Sequence, residues 1–326
     1  MIILIFGILI LNLSIYLLNY RLADLLNLYD HPDKIRKFHK QKVPLTGGVI
    51  IFSNITCFYL FSQFNDELKL FENISNLNVF FLSCTILWFT GLIDDKINIS
   101  PNLKFIILLF VILINIFLDK GILIQWVHLS FYSSFHLGVF SYIWTLICFL
   151  LFINALNLFD GVNLQTFIYS SFISIIFILN SYLVIFFLTI QFSLLVFGLL
   201  NLNNKSFMGD NGTYLIAFVF SYFFIKSYNE SLFLYADEIV LIMLIPGLDL
   251  LRLFIIRILK KKNPFSSDRN HLHHILLNHF THSNVIKIIH TLIILPFFIS
   301  QIFQTTLYLI ILQSLVYFYL ISKYKN

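Results

Sequence analysis

Nine apolar stretches dominate this chain, and their lengths suit hydrocarbon rather than water. Seven of them, near residues 2–20, 45–64, 77–93, 103–118, 138–156, 212–226 and 236–258, match a single crossing of a bilayer core about 30 Å thick. Two more, 165–200 and 288–322, would each extend over about 50 Å as one helix. Each therefore reads as two helices joined by a turn, near Asn180-Ser181 and between Ser300 and Thr306. The pattern predicts an all-α polytopic membrane protein of about eleven transmembrane helices. Composition agrees: 59% of residues are hydrophobic and 11% charged, with mean hydropathy +0.88, which excludes an ordinary soluble domain.

The charges set an orientation. The first stretch has neither a basic leader nor a small-residue cleavage site, and Arg21, Lys34, Arg36 and Lys37 follow it. It reads as an uncleaved span with the N-terminus outside. Alternation then puts 21–44, 94–102, 157–164, 201–211, 259–287 and the C-terminal tail on the inner, cytoplasmic side. Of the 21 Lys and Arg residues, all but Lys69, Lys120 and Lys226 fall on or near that face. The net charge of +5 is small, and its clustering beside apolar runs reads as a topology signal, so nucleic acid is not an expected partner. With no solenoid repeat and no low-complexity linker, residues 1–326 read as one membrane domain. The outer segment 119–137, with Trp126, His128, Tyr132 and His136, reads as an interfacial cap. Cys57, Cys84 and Cys148 lie inside apolar runs without metal or redox spacing and read as buried structural residues.

Five polar clusters fall on the predicted inner face. The first, Asp30 to His39 with Lys37 and His39, leads into Pro44-Leu45-Thr46-Gly47-Gly48; its basic side chains and free helix-entry N–H groups would suit phosphate, the alternative being a basic loop that sets topology. The second is Asp94-Asp95 in Gly91-Leu92-Ile93-Asp94-Asp95-Lys96, a carboxylate pair fit for Mg²⁺ or for proton handling, or else a solvated turn. The third, Asn154, Asn157, Asp160 and Asn163, recurs every three residues through the end of the fifth helix, a polar stripe suited to a hard cation and its phosphate ligands, or to helix packing. The fourth, Met208-Gly209-Asp210-Asn211-Gly212, opens the eighth helix, where Asp210 is either a metal contact or an N-cap. The fifth is the long loop from Lys260 to His274, whose Arg269, His271, His273 and His274 suit a diphosphate, with Zn²⁺ as the competing ligand. Asp249 and Arg252, one turn apart, read as an ion pair of structural or site-supporting role.

Taken in order, these motifs resemble the polyprenyl-phosphate N-acetylhexosamine-1-phosphate transferases, the superfamily that includes the phospho-MurNAc-pentapeptide translocases. The resemblance spans nearly the whole chain, and the Asp268-Arg269-Asn270-His271-Leu272-His273-His274 run looks like the N-acetylglucosamine-type branch. It implies that an oxygen of polyprenyl (undecaprenyl) phosphate attacks the sugar-bearing phosphate of a UDP-N-acetylhexosamine, releasing UMP and starting a lipid-linked glycan for the cell envelope. It further implies Mg²⁺, with Mn²⁺ as the alternative ion, and a bacterial inner membrane with the active face cytoplasmic. By position in the motifs, Asn157 and Asp210 would contact the metal, and Asp94 or Asp95 would prepare the acceptor phosphate. Asp160 would orient donor or metal. Arg269, His271 and His273 would hold phosphates together with His274, and Lys37, His39, Asn154 and Asn163 would complete substrate binding. A homodimer is compatible with this reading. The family commonly continues Asp-Gly-x-Asp-Gly-Leu where this chain has Asp160-Gly161-Val162-Asn163-Leu164-Gln165, a departure that bears on sugar specificity or rate. The competing readings are a phospho-MurNAc-pentapeptide-type transferase and a non-enzymatic lipid-phosphate transporter.

Overall fold

A computed structural model describes residues 2–32, 41–65, 68, 70–71, 73–231, 235–263 and 270–325. In chain order the elements are α1 (Ile2–Leu26), β1 (Tyr29–Asp30), β2 (Val43–Pro44), α2 (Gly47–Ser62), α3 (Ile74–Ile97), α4 (Pro101–Leu118), β3 (Trp126–Leu129), β4 (Tyr132–His136), α5 (Ser141–Phe159), α6 (Gln165–Leu179), α7 (Val184–Leu202), α8 (Gly209–Asn229), α9 (Ala236–Leu259), α10 (Leu272–Leu277), α11 (His282–Phe303) and α12 (Thr306–Tyr324). Among the described residues, eight helices are long and apolar enough to cross a membrane: α1, α3, α4, α5, α7, α9, α11 and α12. The apolar α2 and α6 are shorter. The two over-long apolar stretches break between Leu179 and Val184 and between Phe303 and Thr306, where Ser181 (φ 57°), Leu183 (φ 44°) and Gln304 (φ 51°) take left-handed backbone. The chain is a mostly helical, multi-pass membrane protein.

It forms two compact units, Met1–Lys120 with Thr166–Phe220, and Gly121–Gln165 with Ser221–Asn326. In the first unit, buried amides join helices that are otherwise largely apolar. Asn12 of α1 and Asn54 of α2 exchange reciprocal amide hydrogen bonds of 2.7 and 3.1 Å. Asn115 of α4 donates to Ser83 Oγ of α3 at 2.6 Å. Where lipid tails are as apolar as leucine, polar pairs of this kind add to close packing in holding helices together. Rings fill the remaining space, as where Tyr59 stacks on Phe81 with centroids 4.0 Å apart. The opposite face of α1, with Ile3, Phe6, Leu13 and Leu17, stays exposed, as a lipid-facing surface does.

In the second unit, α9 packs against α5, α11 and α12. The segment expected as an interfacial cap is an antiparallel hairpin, β3–β4, with Trp126 opposite His136 and an irregularity between Val127 and Leu129. The all-α expectation therefore holds for the spanning elements and misses two small β-ribbons, β1–β2 and β3–β4, in the connections. The hairpin is fixed to a helix end: Ser130 gives its N–H to Asp237 Oδ1 (2.8 Å) and its hydroxyl to Oδ2 (2.5 Å) in the first turn of α9. Trp126, Phe131, Tyr132 and Phe135 of the hairpin remain exposed, a composition suited to a headgroup layer.

Candidate active site

The sequence Asp94-Asp95-Lys96-Ile97-Asn98-Ile99-Ser100-Pro101 makes a tight reversal between two helices. Asn98 ends α3 in left-handed backbone, φ 50°. Ser100 caps α4 through Leu103 N–H (3.4 Å), and Pro101 fills the first helical position, where no N–H is needed. Asp94 Oδ1 then accepts the Ile99 N–H at 2.7 Å. Its Oδ2 meets the Lys104 ammonium, which also lies 3.7 Å from Asp210 Oδ2. A lysine in the first turn of a helix opposes the helix dipole, so this placement is held by the carboxylates around it. Lys104 is the site residue that motif reading passed over, counted only among the topology charges. Its signal was a cation one turn after a Ser-Pro helix start, inside an apolar run.

Asp95 does something different from its neighbour. Its two oxygens accept the N–H of Asp210 (2.9 Å), the N–H of Asn211 (3.1 Å) and the Asn211 side-chain amide (2.5 Å). It is therefore the N-terminal cap of α8, supplied by α3, and it fixes where Asp210 points. Asp210 itself lies within the first turn of α8 and not at its cap. The close approach depends on Gly48 and Gly91: a Cβ on either would collide with the Asp210–Gly212 backbone. The phosphate-binding expectation for the Gly47-Gly48 helix entry needs correction, because those N–H groups donate to the carbonyls of Phe207 (3.0 Å) and Met208 (3.2 Å). The two glycines seat the chain entering α8 instead of holding an anion.

The second unit carries the amide and histidine groups. Asn154 donates to Leu150 O of its own helix at 2.7 Å. Helix α5 ends at Phe159 and Asp160 is its C-cap, so the predicted helical stripe covers only Asn154 and Asn157, with Asn163 in the turn that follows. Asn157, Asp160 and Asn163 all have partners within the protein. Leu164, where the family pattern has Gly, adopts φ 67°. The turn lies flat on the histidine segment: a Cβ on Gly161 would run into the His273 ring. His273 is buried, and burial, reinforced by His274 and His271, pushes its imidazole well below the ordinary histidine range. His271 and His273 stack with centroids 5.5 Å apart, and His274 lies 4.3 Å from His273. The expected contacts Lys37, His39 and Arg269 lie outside the described residues.

Among the described residues, no group of three or more His, Cys, Asp or Glu side chains is arranged to hold a metal by protein ligands alone. A hard, hydrated ion needs less, since Mg²⁺ is commonly held by one or two carboxylates plus water and substrate phosphate. Asp94 and Asp210 fit that demand, because both already face a single positive charge, the Lys104 ammonium. Zn²⁺ at the histidines fits less well, because among the described residues His271, His273 and His274 do not form a set of three protein ligands around one point.

Apolar helices that carry hydrogen-bonded carboxylates and an ammonium at their ends define a polytopic membrane protein with a charged reaction site, and not a passive anchor. Residues 77–228, from α3 to α8, match glycosyl transferase family 4. The undecaprenyl-phosphate alpha-N-acetylglucosaminyl 1-phosphate transferase of Salmonella typhi is 26% identical over 269 residues, covering 79% of this chain and 71% of that protein. The Escherichia coli (strain K12) protein of the same name is 27% identical over 269 residues, with 79% and 71% coverage. That of Yersinia pestis is 26% identical over 271 residues, again with 79% and 71%. The resemblance drawn from the chain's motifs is borne out by these matches.

Proposed function

We propose that this enzyme transfers an N-acetylhexosamine 1-phosphate from a UDP-sugar to undecaprenyl phosphate, releasing UMP and starting a lipid-linked glycan for an envelope polysaccharide. The observation that carries the reading to particular residues is the convergence of Asp94 and Asp210 on Lys104, next to Asp95. An oxygen of the lipid phosphate attacks the sugar-bearing phosphorus; the bond from that phosphorus to the bridging oxygen breaks, and UMP leaves with the electron pair. Mg²⁺, or Mn²⁺ in its place, would neutralise the diphosphate and the leaving group. Asp210 would hold the ion, and Asn157 keeps the metal role assigned to it by resemblance. Asp94, beside Lys104, would orient the acceptor phosphate. Asp95, whose oxygens are taken up by the start of α8, would act by aiming Asp210. Asp160, Asn154 and Asn163 would orient the donor, and Lys37, His39, Arg269, His271, His273 and His274 would hold phosphates.

Eleven crossings with the N-terminus outside would put these residues on the cytoplasmic side of a bacterial inner membrane, where a soluble nucleotide sugar meets a lipid phosphate. Residues 1–326 would work as one catalytic domain, alone or as a homodimer. The test is Mg²⁺-dependent UMP release from UDP-N-acetylglucosamine in the presence of undecaprenyl phosphate. Asp94→Asn and Asp210→Asn are expected to lose about 100-fold or more in kcat. Full activity in both variants would overturn the assignment of roles. Comparable turnover of UDP-MurNAc-pentapeptide would move the donor to the other branch. Lipid movement across vesicles without UMP would favour a transporter.

A further inference from the structure

Asp249 lies about 20 Å along α9 from its first residue, in the middle of an apolar helix of 24 residues. A carboxylate at that depth is costly unless it is paired or used. Asp249 is paired on every side. Its Oδ1 accepts Arg252 Nη2 (2.8 Å), the Tyr317 hydroxyl (2.8 Å) and the N–H of Leu272 (3.1 Å), the first residue of α10. Its Oδ2 accepts from Nδ1 of His271 at 2.9 Å. Arg252 extends the strap, donating Nε to Tyr317 Oη (2.7 Å) and Nη2 to the Asn270 carbonyl (2.5 Å). Asp249 and His271 are 8% and 5% exposed, so these bonds lie largely out of solvent.

A carboxylate on Nδ1 decides the chemistry of the other nitrogen. Nδ1 has to carry hydrogen, so in the neutral ring Nε2 is the bare nitrogen and in the imidazolium it is an N–H donor. Among the described residues Nε2 of His271 has no hydrogen-bond partner. The charged and titratable groups around the ring are Asp249 and Arg252 from α9, Tyr317 from α12, and His273 (5.5 Å between centroids) and His274 (6.3 Å) from α10. Asp249 is the anion among them.

We propose that Asp249 is the positioning residue of the histidine segment: it locks the His271 ring through Nδ1 and presents Nε2 to a phosphate oxygen of the nucleotide-sugar donor. The inference rests on the transferase reading above. Asp249 touches no substrate and acts through His271.

The experiment uses the full chain in detergent micelles with ¹⁵N-labelled histidine, His271 being assigned by the signal lost in His271→Gln. Wild-type His271 is expected to carry hydrogen on Nδ1. Asp249→Ala removes the acceptor, so the ¹⁵N signals of the neutral ring are expected to show a mixture of the two tautomers. KM for UDP-N-acetylglucosamine in UMP release should rise more than kcat falls. Tyr317→Phe removes a hydroxyl from the other carboxylate oxygen and should leave tautomer and KM in place, whereas a purely structural strap would make the two variants behave alike. An unchanged His271 tautomer in Asp249→Ala overturns the inference. So does an Nε2–H neutral tautomer in the wild type, a measurement that stands even if the variant fails to fold. A protein that keeps the Nδ1 coupling but releases no UMP overturns the functional reading and leaves the Asp249–His271 coupling standing.

Discussion

At Leu164 the backbone sits at φ 67°, a conformation that costs an L-residue with a Cβ about 1–2 kcal/mol. Glycine avoids that cost and loses part of the gain to its greater unfolded-state freedom. Leu164→Gly is therefore expected to stabilise the folded chain by up to about 1 kcal/mol, read as a raised unfolding temperature in detergent. A lowered temperature would mean that side-chain packing outweighs the strain. Lys104→Met tests the neighbouring carboxylates. Without the ammonium, Asp94 and Asp210 repel each other, and UMP release is expected to fall about 100-fold or more, with Lys104→Arg losing less. His273 gives a pH dependence. Its folded pKa lies below the ordinary value of about 6.5, so the unfolded chain binds the extra proton. That contribution to stability is present above about pH 6.5 and is lost progressively as pH falls through the depressed folded pKa. Unfolding temperatures between pH 8 and pH 5 should show the loss in the wild type and a smaller one in His273→Gln. At this scale Asp94, Asp95 and Asp210 were legible because charges at the ends of apolar helices are conspicuous. The division of labour was not, since a dipeptide does not say which carboxylate caps a distant helix.

Helices were legible as elements because hydrocarbon leaves few other conformations for apolar stretches of this length. What joins them is less so. The Asn12–Asn54 pair between α1 and α2 reads in sequence as two isolated polar residues in apolar runs. Asn54→Leu is expected to cost about 1 kcal/mol, and a double-mutant cycle with Asn12→Leu should recover coupling of that order. No coupling would reduce the pair to two separately satisfied amides, since each also donates to its own helix, Asn12 to Ile8 O (2.9 Å) and Asn54 to Ile50 O (2.8 Å). The hairpin β3–β4 shows the opposite case. Its residues Trp126, His128, Tyr132 and His136 were readable as interfacial, but the strand pairing depends on a turn that Asp237 of α9 holds from more than a hundred positions away.

For the whole molecule, the proposed orientation makes a definite labelling prediction. A cysteine at Tyr132, in the exposed hairpin, should react with a membrane-impermeant maleimide in intact cells. One at Lys262, after α9, should react only once the membrane is opened. Reversal of that pattern would invert the topology. Sequence alone determined that the chain is helical and membrane-embedded, because apolar length and charge asymmetry are properties of segments and need no knowledge of neighbours. It also marked the chemistry-bearing residues, because charge in such a chain has few places to go. Tertiary structure decided which of them meet. Lys104 joins Asp94 and Asp210, Asp95 caps α8, and Asp249 holds His271. These are contacts between residues from 10 to more than 100 positions apart, set by how the helices pack, and no local pattern encodes them.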